Sequence, residues 1–344
     1  MRTVHVILPP NLRASGPFET HNAISYAMFL CEISKSIGYQ TYLYGVESEN
    51  QPQDFIGLID WAKSLRLNAA TEEWPPSTQI TRDLTDYYNN AALIAIRHRL
   101  SDDNYVITFS DNSEFLSQHV KNANIIGAKT NPQAAKSDLN LFSSYACMHA
   151  AVGAHADNRD ICGNHFDSVL HYAPSHENCL VRTKEDYLFF DVRNADEQLV
   201  SILANGAGLH CVGVDRTAIG RCEYFDLLSK AKCLILSPLK MDFVGESAID
   251  ALSFGTPVIS VDWGAASEIV RHGLVGYRCR RLSEYIVAVQ DLKDIDPITV
   301  RHHFQQRFSL DRAKGKFTEY LDQIADLWSD GFYSQRPPLT ARYD

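Results

Sequence analysis

The order of hydrophobic and polar positions divides the chain into two series of alternating strands and helices. In the first, an apolar run at 3–8 predicts a strand. Ile24, Ala27, Met28, Leu30, Cys31 and Ile33 then recur at helical spacing over 22–37, and a second strand is predicted at 41–45. Strand, loop, helix and strand in that order open a parallel βαβ sheet. The loop between them contains a single glycine, Gly16, and so lacks the G-x-G-x-x-G of a dinucleotide fingerprint. Helical periodicity predicts helices over 54–66 and 81–99, separated by Pro75-Pro76, and the unbroken apolar run from Ala91 to Ile96 predicts a fully buried segment. Strands predicted at 105–109 and 124–126 each run into polar residues. Asp111 and Lys129 would therefore stand at carboxyl ends of strands, where open α/β sheets bind ligands.

The second series predicts strand 187–190, helix 195–204, strand 209–214, helix 223–231 and strand 232–236, followed by the stretch DFVGESAIDALSFGTPVISVD at 242–262. Within that stretch Ala248, Ile249, Ala251, Leu252 and Phe254 fall at three- and four-residue steps, predicting a short helix over 246–254. Gly255 ends it, Pro257 cannot continue it, and the β-branched run 256–261 reads as a buried strand. Four such strands alternating with helices pack comfortably only as a second parallel, helix-covered sheet. Residues 298–327 read as terminal helices.

The stretch at 242–262 also has a chemical use. The first amides of a helix lack internal acceptors and lie at the positive end of its dipole, so Glu246, Ser247 and Ala248, led by Gly245, can hold a phosphate or diphosphate. Asp250, one turn further on the same face as Glu246, can accept from the vicinal hydroxyls of a ribose. Asp242, across Gly245, can do the same for a sugar hydroxyl. The alternative is structural: Glu246 complements the helix dipole, and Asp242 and Asp250 are solvated.

This segment resembles the donor-binding element of GT-B glycosyltransferases of the retaining family 4 type, E-x-F-G-x-x-x-x-E-A-x-A-x-G-x-P-V. Gly245, Ala251, Gly255, Pro257 and Val258 match, while Asp242 and Asp250 replace the two glutamates and shorten their reach by one methylene. Residues 264–270 (GAASEIV) and 272–277 (HGLVGY) resemble further segments of that family, strongly so from about 209 to 327. The resemblance implies an α/β GT-B architecture of two Rossmann-like parallel-sheet domains facing a cleft. Residues 1–170 would form the acceptor domain and 180–317 the nucleotide-sugar donor domain, with a C-terminal helix at 318–344 packing back on the first. It also implies that the loop carrying Gly16 faces the cleft and that Arg193 clamps the donor diphosphate. No lysine follows Arg193 nearby, and Lys240 is the candidate for that missing charge. Arg221 lies where relatives contact the base. In the acceptor domain Lys129 or Thr130 stands where related enzymes often show a histidine.

Composition narrows the reading. Hydrophobic residues at 45% with 22% charged describe an ordinary globular chain, and 344 residues suit two domains. No apolar run reaches the roughly 18 residues that cross a bilayer, and the N-terminal MRTVHVILPP reads as a strand rather than a signal peptide, so the expectation is a cytoplasmic protein with no transmembrane segment. A net charge of −10 argues against nucleic acid as the main partner. Cys31, Cys147, Cys211 and Cys233 lie in apolar segments and read as reduced core thiols. His149, His155, His165, His171 and His176 cluster in sequence but lack metal-ligand spacing. Asp102-Asp103 and Asp294-x-Asp296 sit in polar turns, so no metal site and no cofactor are expected. The leading expectation is a retaining, metal-independent glycosyltransferase that takes a nucleotide-diphosphate sugar, of unidentified base, to an unidentified acceptor. The alternatives are a degenerate GT-B protein that binds a nucleotide or partner without turnover, and a GT-B sugar-nucleotide epimerase.

Overall fold

The computed structural model describes residues 2–10, 12, 22–47, 54–60, 82–109, 111–133, 137–155, 166–174, 180–192, 195–216, 218–236 and 241–329. The first half contributes β1 (Arg2–Ile7), α1 (Asn22–Ser36), β2 (Gln40–Val46), β3 (Phe55–Ile59), α2 (Arg82–Arg97), β4 (Asp103–Thr108), α3 (Ser113–His119), β5 (Asn124–Lys129), β6 (Leu139–Phe142), α4 (Tyr145–His155) and β7 (Ser168–Val169). Its strands form a seven-stranded sheet in the order β3-β2-β1-β4-β5-β6-β7, parallel throughout. The second half contributes β8 (Tyr187–Asp191), α5 (Glu197–Ala207), β9 (His210–Val214), α6 (Arg221–Lys230), β10 (Cys233–Ile235), α7 (Glu246–Ser253), β11 (Val258–Val261), α8 (Ala266–Ile269), β12 (Gly276–Cys279), α9 (Leu282–Asp291), α10 (Pro297–Phe308) and α11 (Leu310–Ser329). Its five strands are likewise parallel, in the order β12-β11-β10-β8-β9.

Local chemistry accounts for several element ends. Asp196 accepts from the amides of Gln198 and Leu199 and so starts α5, which Gly208 ends in the left-handed conformation. Asp296 does the same for α10, with Pro297 as its first residue. Val4, Val6, Tyr105 and Ile107 on the first sheet, with Tyr26 and Leu30 of α1, are fully buried, each contributing about 1.5–3 kcal/mol. The last helix returns to this sheet: the Tyr105 hydroxyl donates to the Leu321 carbonyl, the Tyr320 hydroxyl donates to the Asn140 carbonyl, and Arg2 pairs with Asp322. Among the described residues no helix is long and apolar enough to cross a membrane.

Four expectations are corrected. Residues 55–59, expected to be helical, form strand β3 beside β2; a short apolar run carries no decisive period, and FIGLI suits a sheet edge as well as a helix. The run 91–96 is not wholly buried, because Ile94 is 59% exposed. Six successive helical residues sweep more than a full turn, so one must face away from the core. Cys211 is exposed rather than a core thiol, since β9 is the edge strand of its sheet. The second sheet has a fifth strand, β12, whose half-polar sequence gives no strand signal.

Candidate functional site

The stretch at 242–262 folds as its pattern predicts: a loop, α7, a glycine stop and β11. Gly245 precedes α7 at φ +75°, a backbone conformation that favours glycine, and a Cβ there would push the end of the Ile269 side chain aside. Asp242 shapes the loop. Its Oδ1 accepts from the amides of Val244 (2.9 Å) and Gly245 (3.1 Å), and its carbonyl accepts from Ala265 (2.9 Å). Oδ2 has no protein donor among the described residues. The first-turn amides of Glu246, Ser247 and Ala248 follow, where no intrahelical acceptor exists.

The acids of α7 are not solvated. Glu246 is buried, and its Oε1 pairs with Nη2 of Arg216 at 3.2 Å, the two side chains being 9% and 6% exposed. Arg216 follows β9 at its carboxyl end. Its Nη1 donates to the Ser247 hydroxyl at 3.3 Å, and its guanidinium lies 5.2 Å from the centre of the Tyr224 ring. Burial opposes that charge, but Glu246, Tyr224, Asp250 and the buried Asp191 hold the arginine firmly protonated. Asp250 is 1% exposed, and burial, reinforced by Glu246, pushes its carboxyl up to about 8 against the pull of Arg216 and Arg221. With Glu246 paired with Arg216 and the Asp250 carboxyl raised by burial, the start of α7 carries less negative charge than Asp242, Glu246 and Asp250 would otherwise give it. Tyr172, in the segment joining the two halves, lies in the field of the same Asp250 and Glu246.

Of the residues expected at the site, Asp242, Gly245, Glu246, Ser247 and Asp250 are brought together. Arg221 is the first residue of α6, exposed, with its guanidinium 5.2 Å from the Phe225 ring centre. Gly16, Arg193 and Lys240 lie outside the described residues. Lys129 ends β5 and is buried, and burial lowers its ammonium pKa despite Asp111. Asp103 and Asp296 have structural roles, the first paired with Arg2 and the second capping α10. Among the described residues no three histidine, cysteine, aspartate or glutamate side chains group as a metal site. Arg216 is the residue that sequence reasoning missed; its signal was its place immediately beyond the carboxyl end of a predicted strand.

Residues of the first half also reach this loop. The hydroxyls of Ser143 (2.9 Å) and Ser144 (2.6 Å) both donate to the Phe243 carbonyl. In the opposite direction Glu268 of α8 accepts from the amides of Tyr145 (3.0 Å) and Ala146 (2.7 Å) and contacts Nε2 of His171 at 2.9 Å. Burial works against the Glu268 charge, but His171 and the two amides outweigh it and lower its pKa.

No family model matches the sequence, and no curated protein matches it. Solved structures do. The Anabaena protein HepE, in complex with UDP and glucose, is similar over 92% of this chain and 99% of its own, at 10% identity and a TM-score of 0.63. The pneumococcal O-GlcNAc transferase GtfA, in complex with UDP and GlcNAc, is similar over 94% and 99%, at 8% identity and a TM-score of 0.63. The N-terminal domain of a trehalose-6-phosphate phosphatase from Candida albicans is similar over 93% and 96%, at 8% identity and a TM-score of 0.61. The two parallel sheets are therefore those of the GT-B fold, the architecture the resemblance implied. Likeness at this identity establishes fold and not reaction.

Proposed function

We propose that the chain is a retaining, metal-independent glycosyltransferase that moves a sugar from a nucleotide-diphosphate sugar to an acceptor not yet identified, with no resident cofactor. The observation that carries this reading is the glycine-led start of α7, where Glu246 is paired with Arg216 and burial raises the Asp250 carboxyl. A diphosphate bound there meets the amides of Glu246 to Ala248. As the bond from sugar to phosphate breaks, negative charge builds on the leaving oxygens, and amides already pointing at them stabilise it without reorganisation. Arg193 and Lys240 would add positive charge. Asp250 would hold the ribose hydroxyls, Arg221 would face the base, and Asp242, through Oδ2, would hold a hydroxyl of the transferred sugar as it gains oxocarbenium character. A cytoplasmic location belongs to the same reading.

The test is transfer or slow donor hydrolysis with a panel of UDP-, GDP- and TDP-sugars, with and without EDTA. Asp242→Asn is the diagnostic variant, because asparagine retains the Oδ1 acceptor that holds the turn while removing the charge. We expect nearly unchanged affinity for the free nucleoside diphosphate and turnover reduced on the order of 10²-fold. Wild-type turnover in this variant removes Asp242 from the chemistry, and EDTA loss restored by Mn²⁺ or Mg²⁺ refutes metal independence. A second reading, binding without turnover, is favoured by the commitment of Asp242 Oδ1 to the loop and by the shortened reach of both aspartates. Nucleotide binding with no sugar released from any donor would select it.

A further inference from the structure

The acidic loop of the second half is held from the first half, through contacts no local pattern announces. The Phe243 carbonyl, between Asp242 and Gly245, accepts two hydrogen bonds from fully buried serines about a hundred residues away. A carbonyl has two lone pairs, so both are satisfied. Ser144 directly precedes α4, and its hydroxyl is oriented from both sides: it accepts from the Cys147 amide at 3.0 Å and donates to Phe243 at 2.6 Å. The Phe243 side chain packs with Phe142, Cys147 and Ala151. The exchange is reciprocal, since Glu268 caps the Tyr145 and Ala146 amides of the same helix. Of the first three amides of α4, those of Tyr145 and Ala146 are therefore satisfied by the other half, and that of Cys147 by the serine that holds the loop.

We propose that Ser143 and Ser144 are positioning residues, acting through the Phe243 carbonyl to fix the shape of the loop from Asp242 to Gly245. The consequence for turnover rests on the transferase reading; the holding of the loop does not. With the serine hydroxyls gone, the peptide between Phe243 and Val244 loses both donors to its carbonyl and is less firmly held. Its N–H is one of the two that Asp242 Oδ1 accepts, so the turn opens and the carboxylate that faces the sugar loses its orientation.

The experiment is amide hydrogen exchange on the full chain carrying Ser143→Ala and Ser144→Ala, alongside steady-state kinetics. Exchange at Val244 and Gly245 is expected to accelerate tenfold or more, with the β11 amides unchanged as an internal control. Turnover is expected to fall about tenfold or more, with nucleoside diphosphate affinity within twofold of wild type. Unchanged exchange at Val244 and Gly245 overturns the proposal, as does faster exchange with unchanged turnover. Should the double variant fail to fold, Ser143→Ala alone leaves the Ser144 cap of α4 intact and is expected to shift exchange and turnover in the same directions. A wild-type protein inactive on every donor sinks the transferase reading, and the exchange result then decides the holding of the loop on its own.

Discussion

Arg216→Met tests whether the ion pair behind α7 is what allows acids to cluster there. The pair is 3.2 Å long with both side chains under a tenth exposed, so solvent screening removes little of it. At an effective dielectric of 20 the attraction is about 5 kcal/mol. Methionine keeps much of the volume but strands Glu246 in a buried site, one helical turn from Asp250. Removing one partner of a buried pair costs about 3–5 kcal/mol, chiefly through the charge left behind, and the contact with the Tyr224 ring is lost as well. The assay is urea unfolding of Arg216→Met, Glu246→Gln and the double variant. The single arginine variant should lose about 3–5 kcal/mol, and the double variant should recover at least about 2 kcal/mol of it, because the neutral amide then standing in place of the Glu246 carboxylate no longer needs a cation. A loss below about 1 kcal/mol in Arg216→Met, or strictly additive effects, would refute the neutralising role. The surviving folded protein should also bind nucleoside diphosphates more weakly, since an unpaired Glu246 would then face the phosphates.

Asp250 has its carboxyl raised from 3.8 to about 8, so it takes up a proton on folding. Its contribution to stability is fully present at pH 3 to 4 and is lost as pH rises through about 8. Asp250→Asn should therefore flatten the fall in urea midpoint between pH 5 and pH 9; an identical pH profile in the variant would show that the group does not titrate there. Gly276 sits at φ +151° on β12, where a Cβ would strike the backbone carbonyl of Val258 on β11. Gly276→Ala should cost about 3 kcal/mol from strain and overpacking together, lowering Tm by roughly 6–12 °C, and a shift under about 2 °C would refute the clash.

What could be read from the sequence depended on the range of the interaction. Strands, helices and the order of the two series came from periodicity, a property of neighbours. The errors at 55–59 and at Ile94 came where a short apolar run left the period or the outward face undecided. Glu246 shows the next limit. Its place at the start of α7 is a local fact and was legible, but its partner Arg216 lies thirty residues earlier on another element, so the acids read as a solvated or ligand-binding cluster with no account of how they tolerate one another. The serines that grip Phe243 are further still, and nothing in FSSYAC distinguishes them from an ordinary helix cap. Asp242 runs the other way. Its bonds to Val244 and Gly245 are within three residues, and an aspartate before a glycine turn is a readable signal, yet the motif alone assigns the carboxylate wholly to the sugar. A carboxylate has two oxygens, and one can fix the turn while the other stays available to a ligand. A longer glutamate would carry its oxygens one methylene further from these same amides. The two departures from the family motif thus differ in kind: at position 242 the shorter side chain reaches its own loop, whereas at position 250 the aspartate is buried beside Glu246, and both raise its carboxyl against the pull of Arg216.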